Sequence, residues 1–379
     1  MLMADTKAMG IIFPNSFDTL VSKMVEKRLM ASLPFASRYR LIDFLLSSMS
    51  NSDIDNVVLL PNKHYLSLMD HIGTGREWDL ARKNGGITIF PPYALDGSKE
   101  ANGRVGQLAN ILRHLKSQSE KYVVMADSNM ACNFDFKAMI KAHIASGADV
   151  SVAYTEQTLP DHFLKSDAVD RDFYYSFDIE DGRIKEINVN PKSDIKNLSM
   201  NIFVLERNLL ISLVQDAFNH GMPHFTRDVL WAKREELNIQ AYKYEGYVSR
   251  IFNINSYFEE SMKLLDSANL DALFGTEPIY TKVRDDNPTR YLKGAKVKNV
   301  MVADGCVIEG EVENSILFRG VKVEKGAKVK NSILMQDTVV EAGASLEYMI
   351  TDKNVHVSAY KELKGTDTYP VYIGKNGKV

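Results

Sequence analysis

Ile316, Ile333 and Ile350 stand seventeen residues apart, and each lies inside a block that repeats with it. Val312, Val329 and Leu346 keep the same interval, as do Val323 with Val340 and Gly326 with Gly343. Short apolar runs at a fixed period, punctuated by glycine and free of any helix-forming stretch, are the mark of a solenoid of stacked turns. Three short strands and three tight corners per turn describe a left-handed parallel β-helix, its inward aliphatic side chains stacked from coil to coil. Such a module is rigid and structural, so function has to be sought in the residues before it.

Upstream, the apolar runs Ala8–Phe13, Asn56–Pro61, Ile87–Phe90, Tyr122–Ala126 and Val150–Tyr154 read as strands. Helical patterns at Arg40–Met49, Val105–Leu115 and Phe136–Ala145 separate several of them. This alternation predicts an α/β domain on a mostly parallel sheet covered on both faces. Met200–Glu206, Asn208–Phe218 and Thr226–Lys233 continue it, Asn255–Leu265 reads as a linking helix, and the polar stretch Thr276–Asn287 leads to a solenoid starting near Leu292. The expected organisation is an α/β domain over 1–255, a connector over 256–290 and the β-helix over 291–379, a division that the 379-residue length allows.

A net charge of -3 and a pI near 6.3 give no pull toward nucleic acid. The two cysteines, Cys132 and Cys306, are too far apart in sequence to suggest a secreted disulfide framework. No run of eighteen apolar residues exists, and Asp5 interrupts the place where a signal peptide needs its apolar stretch. A cytoplasmic protein with no membrane partner is expected.

Ligands of parallel sheets sit at the carboxyl ends of the strands. The first strand runs into Pro14–Leu20, which holds no glycine and therefore no ready nest of converging N–H groups for phosphate, while Asp18 adds a repelling charge. Asp127 follows the strand Lys121–Ala126, a usual place for a carboxylate that holds Mg²⁺, although one carboxylate seldom suffices. Ser128 and Asn129 read equally well as helpers of that carboxylate or as an Asx-type cap on the helix after Asn133. His64 and His71, on one expected helix face, lack a cluster of further metal ligands.

Arg38-Tyr39-Arg40-Leu41-Ile42-Asp43-Phe44, Leu46–Ser50, Asn51-Ser52 and the β-helix closely resemble glucose-1-phosphate adenylyltransferase, or ADP-glucose pyrophosphorylase, over nearly the whole chain. Gly73-Thr74-Gly75-Arg76-Glu77-Trp78-Asp79 resembles the GlgD-type, non-catalytic subunit of bacterial glycogen synthesis. The resemblance implies a Rossmann-like nucleotidyltransferase domain on a mixed, mostly parallel sheet, followed by the left-handed β-helix, in a tetramer. In catalytic members a glucose-1-phosphate oxygen attacks the α-phosphate of ATP, magnesium neutralises the developing charge and pyrophosphate leaves.

On this sequence the family's GGxGxRL loop falls on Asn15–Leu20, without its glycines and arginine. Its RAKP segment falls on Arg28-Leu29-Met30-Ala31, so Met30 replaces a phosphate-contacting lysine, and its YRGTADA segment falls on Gly103–Ala109. GDH becomes Ala126-Asp127-Ser128, EKP becomes Val189-Asn190-Pro191, the second metal carboxylate falls on Ile251 and the adenine-reading glutamine on Asn62. Asp127 is then a vestigial metal ligand, and Asn15, Leu20, Met30, Asn190 and Ile251 are degenerate positions with no catalytic role. The activator-binding lysine and arginine fall on Lys27 and Arg28, which with Arg40 are candidate effector or anion ligands.

Phosphoryl transfer depends on cations and oriented N–H groups where charge develops, and removing one such donor commonly costs about 3–4 kcal/mol in the transition state. The combined losses imply a regulatory subunit, inactive alone and needing no cofactor, in a heterotetramer with a catalytic subunit that uses Mg²⁺. Homo-oligomerisation of the chain made alone stays open. The competing readings are an active adenylyltransferase using Asp127 for magnesium, and an assembly scaffold with no small ligand. A hexapeptide acyltransferase lacks its histidine between coils, since His356 falls in the last turn. Leu317, Phe318, Leu334, Met335 and Met349 recur at equivalent places along the solenoid and are expected to pack in part against another subunit.

Overall fold

A computed structural model describes residues 6–92, 103–157, 174–191 and 197–379, which leaves Asp5 outside the described residues. The chain divides into two compact units. One comprises Met1–Thr19, Leu45–Ser128 and Phe134–Gly246; the other comprises Leu20–Phe44, Asn129–Asn133 and Tyr247–Val379.

In the first unit Ala8–Phe13 is buried along its whole length, as the near-continuous apolar run AMGIIF demands of a strand covered on both faces. It pairs in parallel with Asn56–Leu59 on one side (Ile11 opposite Val58) and with Tyr122–Asp127 on the other (Ile11 opposite Met125). Among the described residues the sheet has nine strands. Their order is Gly86–Ile89, Asn56–Leu59, Ala8–Phe13, Tyr122–Asp127, Leu198–Glu206, Val150–Thr155, Ile239–Lys243, Arg183–Val189 and Tyr175–Glu180. Leu198–Glu206 enters antiparallel to Tyr122–Asp127 and makes the sheet mixed. A β-bulge between Ser199 and Phe203 shifts its register and leaves Asn201 at φ +51°. Bulges of this kind re-aim a side chain, and here it is that of Asn201.

Helix Phe136–Ser146 opens on Asp135, whose carboxylate accepts the Ala138 N–H at 2.8 Å, and closes on Gly147 at φ +61°. Asp135 therefore fills the capping role assigned to Ser128 and Asn129. The helix expected over Val105–Leu115 is broken into Gly103–Asn110 and Leu112–Ser117, because the buried, β-branched Ile111 leaves helical geometry between them. The stretch expected as helix Thr226–Lys233 begins as a π-helix over Phe225–Leu230. The helix after His64 spans only Leu66–Ile72; His64 precedes it at φ +54°, while His71 is buried edge-on to Trp78. The two histidines share no helix face.

The second unit contains the solenoid. Val312, Val329, Leu346 and Leu363 lie opposite one another in parallel strands, as do Ile316 with Ile333 and Ile350 with Ile333, and Val323 with Val340 and Val357. The seventeen-residue period is thus one turn of a parallel β-solenoid. Gly326 and Gly343 hold the same corner at φ +73° and +71°, where a Cβ is strained. Asn314 and Asn331 take a second corner, both at φ +45°, a conformation asparagine tolerates better than most residues.

Residues 20–44 belong to this unit as well. The Tyr257 hydroxyl donates to the Pro34 carbonyl at 2.8 Å, and the rings of Tyr39, Phe44 and Phe274 pack with centroids 5.1–5.9 Å apart. Leu317, Phe318, Leu334, Met335 and Met349 are all at most 4 % exposed within the single chain. The strip expected to face another subunit is therefore core. The inward positions do not exhaust it because neighbouring segments cover the rest: Val371–Ile373 pairs with Met349–Thr351, and the Arg28 guanidinium lies 3.8 Å from the Met335 sulfur. Among the described residues no helix is long and apolar enough to cross a membrane.

Candidate functional site

At the carboxyl ends of the parallel strands Ala8–Phe13 and Tyr122–Asp127, the first unit encloses a cavity of about 320 Å³. Asp127 stands at its floor, 1 % exposed, and each of its oxygens is engaged. Oδ1 accepts from the Arg104 guanidinium at 2.5 Å and from the Ser16 hydroxyl at 2.7 Å; Oδ2 accepts the Asn201 amide at 2.8 Å. Helix Gly103–Asn110 delivers Arg104, and the Phe13 ring, 4.5 Å from the guanidinium carbon, holds its face. The bulge in Leu198–Glu206 delivers Asn201, which receives a further bond from Ser199.

The loop after the first strand is fastened by Asn15. Its amide donates to Asp18 at 2.6 Å, and its carbonyl oxygen accepts the Asn62 N–H at 2.6 Å. Phe17 is buried at φ +65°, a conformation that glycine would adopt without strain. The bond to Asn15 also explains why Asp18 can be buried, at 5 % exposure. His224, just before the π-helix, borders the same cavity; burial foremost, and then Arg227, lower its pKa, so the imidazole is neutral near neutral pH. Burial raises the pKa of Tyr175 on the wall, so it remains a neutral phenol.

The other positions singled out in the sequence lie as follows. Met30 is fully buried in a short 3₁₀ turn, Met30–Ser32, of the second unit. Ile251 is also fully buried in that unit, its N–H donating to the Asn129 carbonyl. Asn190, in the first unit, takes φ +46° and accepts the Tyr174 N–H at 3.0 Å, a local turn contact. Leu20 falls in the 3₁₀ turn Asp18–Val21. The described residues contain no group of three or more His, Cys, Asp or Glu side chains placed to hold a metal ion. With a guanidinium, a hydroxyl and an amide already on Asp127, the residues present do not fit a divalent cation.

A second cavity, of about 500 Å³, lies wholly within the second unit and is lined in part by Lys23, Lys27, Arg28, Asp352, Tyr372 and Lys375. Lys27 is exposed. Arg28 is not: it is 5 % exposed and grips Asp352 with one nitrogen at 2.5 and 2.8 Å from the two carboxylate oxygens. Asp352 also accepts the Tyr372 hydroxyl at 2.6 Å and the Lys353 N–H at 2.7 Å. Lys353 is a residue sequence reasoning missed. Burial foremost, then the charges of Arg40 and Arg28, push its pKa down to about 7. Arg40 acts on Lys353 by charge, and its backbone N–H donates to the Asp43 carboxylate at 2.9 Å. Sequence held no signal for Lys353 or Lys375, which come from the last solenoid turns. Arg104 did lie in a recognised segment, but nothing local pointed it at Asp127. His356, by contrast, bonds to Glu341 at 2.6 Å.

Residues 21–267 match the nucleotidyl transferase family, and residues 283–368 match the GlmU-like C-terminal hexapeptide family. The chain is 35% identical over 374 residues to the glycogen biosynthesis protein GlgD of Bacillus subtilis, covering 98% of this chain and 97% of that one. It is 38% identical over 329 residues to GlgD of Geobacillus stearothermophilus, covering 86% and 83% respectively. It is 34% identical over 304 residues to the glucose-1-phosphate adenylyltransferase of Geobacillus stearothermophilus, covering 79% and 76%. With nucleotidyl transferase and hexapeptide matches and similarity along nearly its whole length, the chain belongs to the GlgD/ADP-glucose pyrophosphorylase family, with GlgD-type proteins among its relatives.

Proposed function

We propose that this protein is a catalytically inactive, regulatory subunit of ADP-glucose pyrophosphorylase that acts in the cytoplasm. It co-assembles as a heterotetramer with a catalytic subunit that makes ADP-glucose from ATP and glucose 1-phosphate for glycogen synthesis. The observation that carries this reading is the state of Asp127. The one metal-type carboxylate retained from the family pattern is neutralised by Arg104, while Met30 and Ile251 replace cationic and anionic groups with buried apolar ones. Phosphoryl transfer without a bridging cation and without oriented donors loses its main source of transition-state stabilisation. The chain requires no cofactor in this reading; Mg²⁺ belongs to the catalytic partner.

Regulation would enter through the second unit. Lys27 and Arg28, with Lys375 in the same cavity lining and Arg40 acting by charge, make up the effector site, and an anionic effector favours the protonated form of the half-buried Lys353, whose pKa burial, Arg40 and Arg28 lower. The test is co-expression with a catalytic ADP-glucose pyrophosphorylase subunit. A complex containing both chains should elute together, and its half-saturation or effector response should differ from that of the catalytic subunit alone. Two proteins that elute apart and leave the kinetics unchanged would overturn the proposal.

A further inference from the structure

Of the cations that line the cavity of the second unit, Lys23, Lys27 and Lys375 are exposed, whereas Arg28 is buried and already holds an anion of its own chain. That anion is Asp352, 2% exposed. Both of its oxygens lie on a single Arg28 nitrogen, at 2.5 and 2.8 Å. The two parallel bonds by which a guanidinium seats an oxyanion are therefore not made here. The other terminal nitrogen faces the Met335 sulfur at 3.8 Å, a weak acceptor. Other groups keep the carboxylate in place. The Tyr372 hydroxyl donates to Oδ2 at 2.6 Å and the Lys353 N–H to Oδ1 at 2.7 Å, while the Asp352 N–H donates to the Ile373 carbonyl at 2.9 Å. Tyr372 belongs to the strand Val371–Ile373, so that strand clamps Asp352 through both its side chain and its backbone.

A carboxylate fixed on a buried guanidinium competes with any oxyanion that the exposed lysines draw in, because two like charges at one cation repel each other. Given the reading of this cavity as the effector site, we propose that Asp352 is its autoinhibitory residue. Its carboxylate fills the anion seat on Arg28, an oxyanion takes that seat only when the Asp352 side chain turns away, and the Tyr372 hydroxyl is released with it. The fraction of chains in which Asp352 is off Arg28 then sets the apparent affinity for the anion. Occupancy is passed to Val371–Ile373, the strand that carries Tyr372 and pairs with Met349–Thr351.

Calorimetric titration of the full chain with sulfate, at constant ionic strength, tests this without any partner. Asp352→Asn removes the competing charge while keeping the shape, and should bind sulfate at least about tenfold more tightly than the unaltered chain. Tyr372→Phe keeps the ion pair but removes one of its holders, and should give a smaller gain of the same sign. Arg28→Met combined with Asp352→Asn should abolish the gain, with circular dichroism confirming the fold of each variant. If Asp352→Asn does not fold, Tyr372→Phe decides alone. Equal sulfate affinity in the unaltered chain and the folded single variants would overturn the inference and leave the anion site standing. A gain that survives in the double variant would also overturn it, since the sulfate would then sit away from Arg28. Sulfate binding to none of these chains would remove the effector site itself, and the autoinhibitory role of Asp352 with it.

Discussion

Arg28→Met should destabilise the second unit by an amount that can be worked from its contacts. The pair Arg28–Asp352 joins residues 324 apart in sequence, and the two side chains are 6% and 3% exposed. Removing one member of a buried pair commonly costs about 3–5 kcal/mol, because the other charge is left without compensation. Here Asp352 would keep the Tyr372 hydroxyl and the Lys353 N–H, which places the loss near the lower end, about 3 kcal/mol. Because methionine fills much of the arginine stem's volume, the cavity contribution is small. For a unit of this size the loss corresponds to a fall of about 6–12 °C in Tm. Calorimetry on the full chain, with urea unfolding as a second measure, reads it. Asp352→Asn added to Arg28→Met should recover a large part, since no uncompensated carboxylate then remains, giving a coupling of about 1–3 kcal/mol. A loss below about 1 kcal/mol for the single variant, or strictly additive effects, would refute the reasoning.

Further outcomes follow from the same contacts. Lys353, with its pKa lowered to about 7, is neutral in the folded chain but charged in the unfolded chain between there and the ordinary lysine value. Its contribution therefore makes stability rise with pH across that window. Sulfate, which does not titrate in this range, should raise Tm more at about pH 6 than at about pH 9, and Lys353→Met should remove the difference; an equal shift at both pH values would exclude Lys353 from anion binding. Met30→Lys with Asn190→Lys and Ile251→Asp should restore no magnesium-dependent adenylyltransfer, because Arg104 still holds Asp127 and Ile251→Asp buries a carboxylate; strong activity in this triple variant would show that the loop and Arg104 matter less than the lost charges. Phe318→Glu with Met335→Glu should abolish cooperative unfolding by circular dichroism instead of changing the mass in solution, since both side chains are core.

The solenoid was legible because its signal is periodic and local: Ile316, Ile333 and Ile350 announce one turn each, and the structure pairs them directly. The parallel sheet was legible for a similar reason, since a strand buried on both faces, such as Ala8–Phe13, has to be a continuous apolar run. What stayed hidden depends on long-range closure. No pattern in residues 20–44 reveals that Arg28 meets Asp352, or that Phe44 packs on Phe274. The outward solenoid residues misled for the same reason, because what covers Met335 comes from the other end of the chain. In the cavity, sequence identified Asp127 and the loss of its supporting groups, yet not the guanidinium that rests on it. Asn201 carried no signal, as it reaches the site only through a β-bulge.

Adenylyltransfer by the purified chain alone, with ATP, glucose 1-phosphate and Mg²⁺, tests the central claim most directly. With Arg104 on Asp127 and Ile251 buried, the account predicts no turnover above background, while the same preparation mixed with a catalytic subunit shifts that subunit's kinetics. Turnover of the isolated chain at ordinary enzyme rates, about 1 s⁻¹ or more, would contradict it.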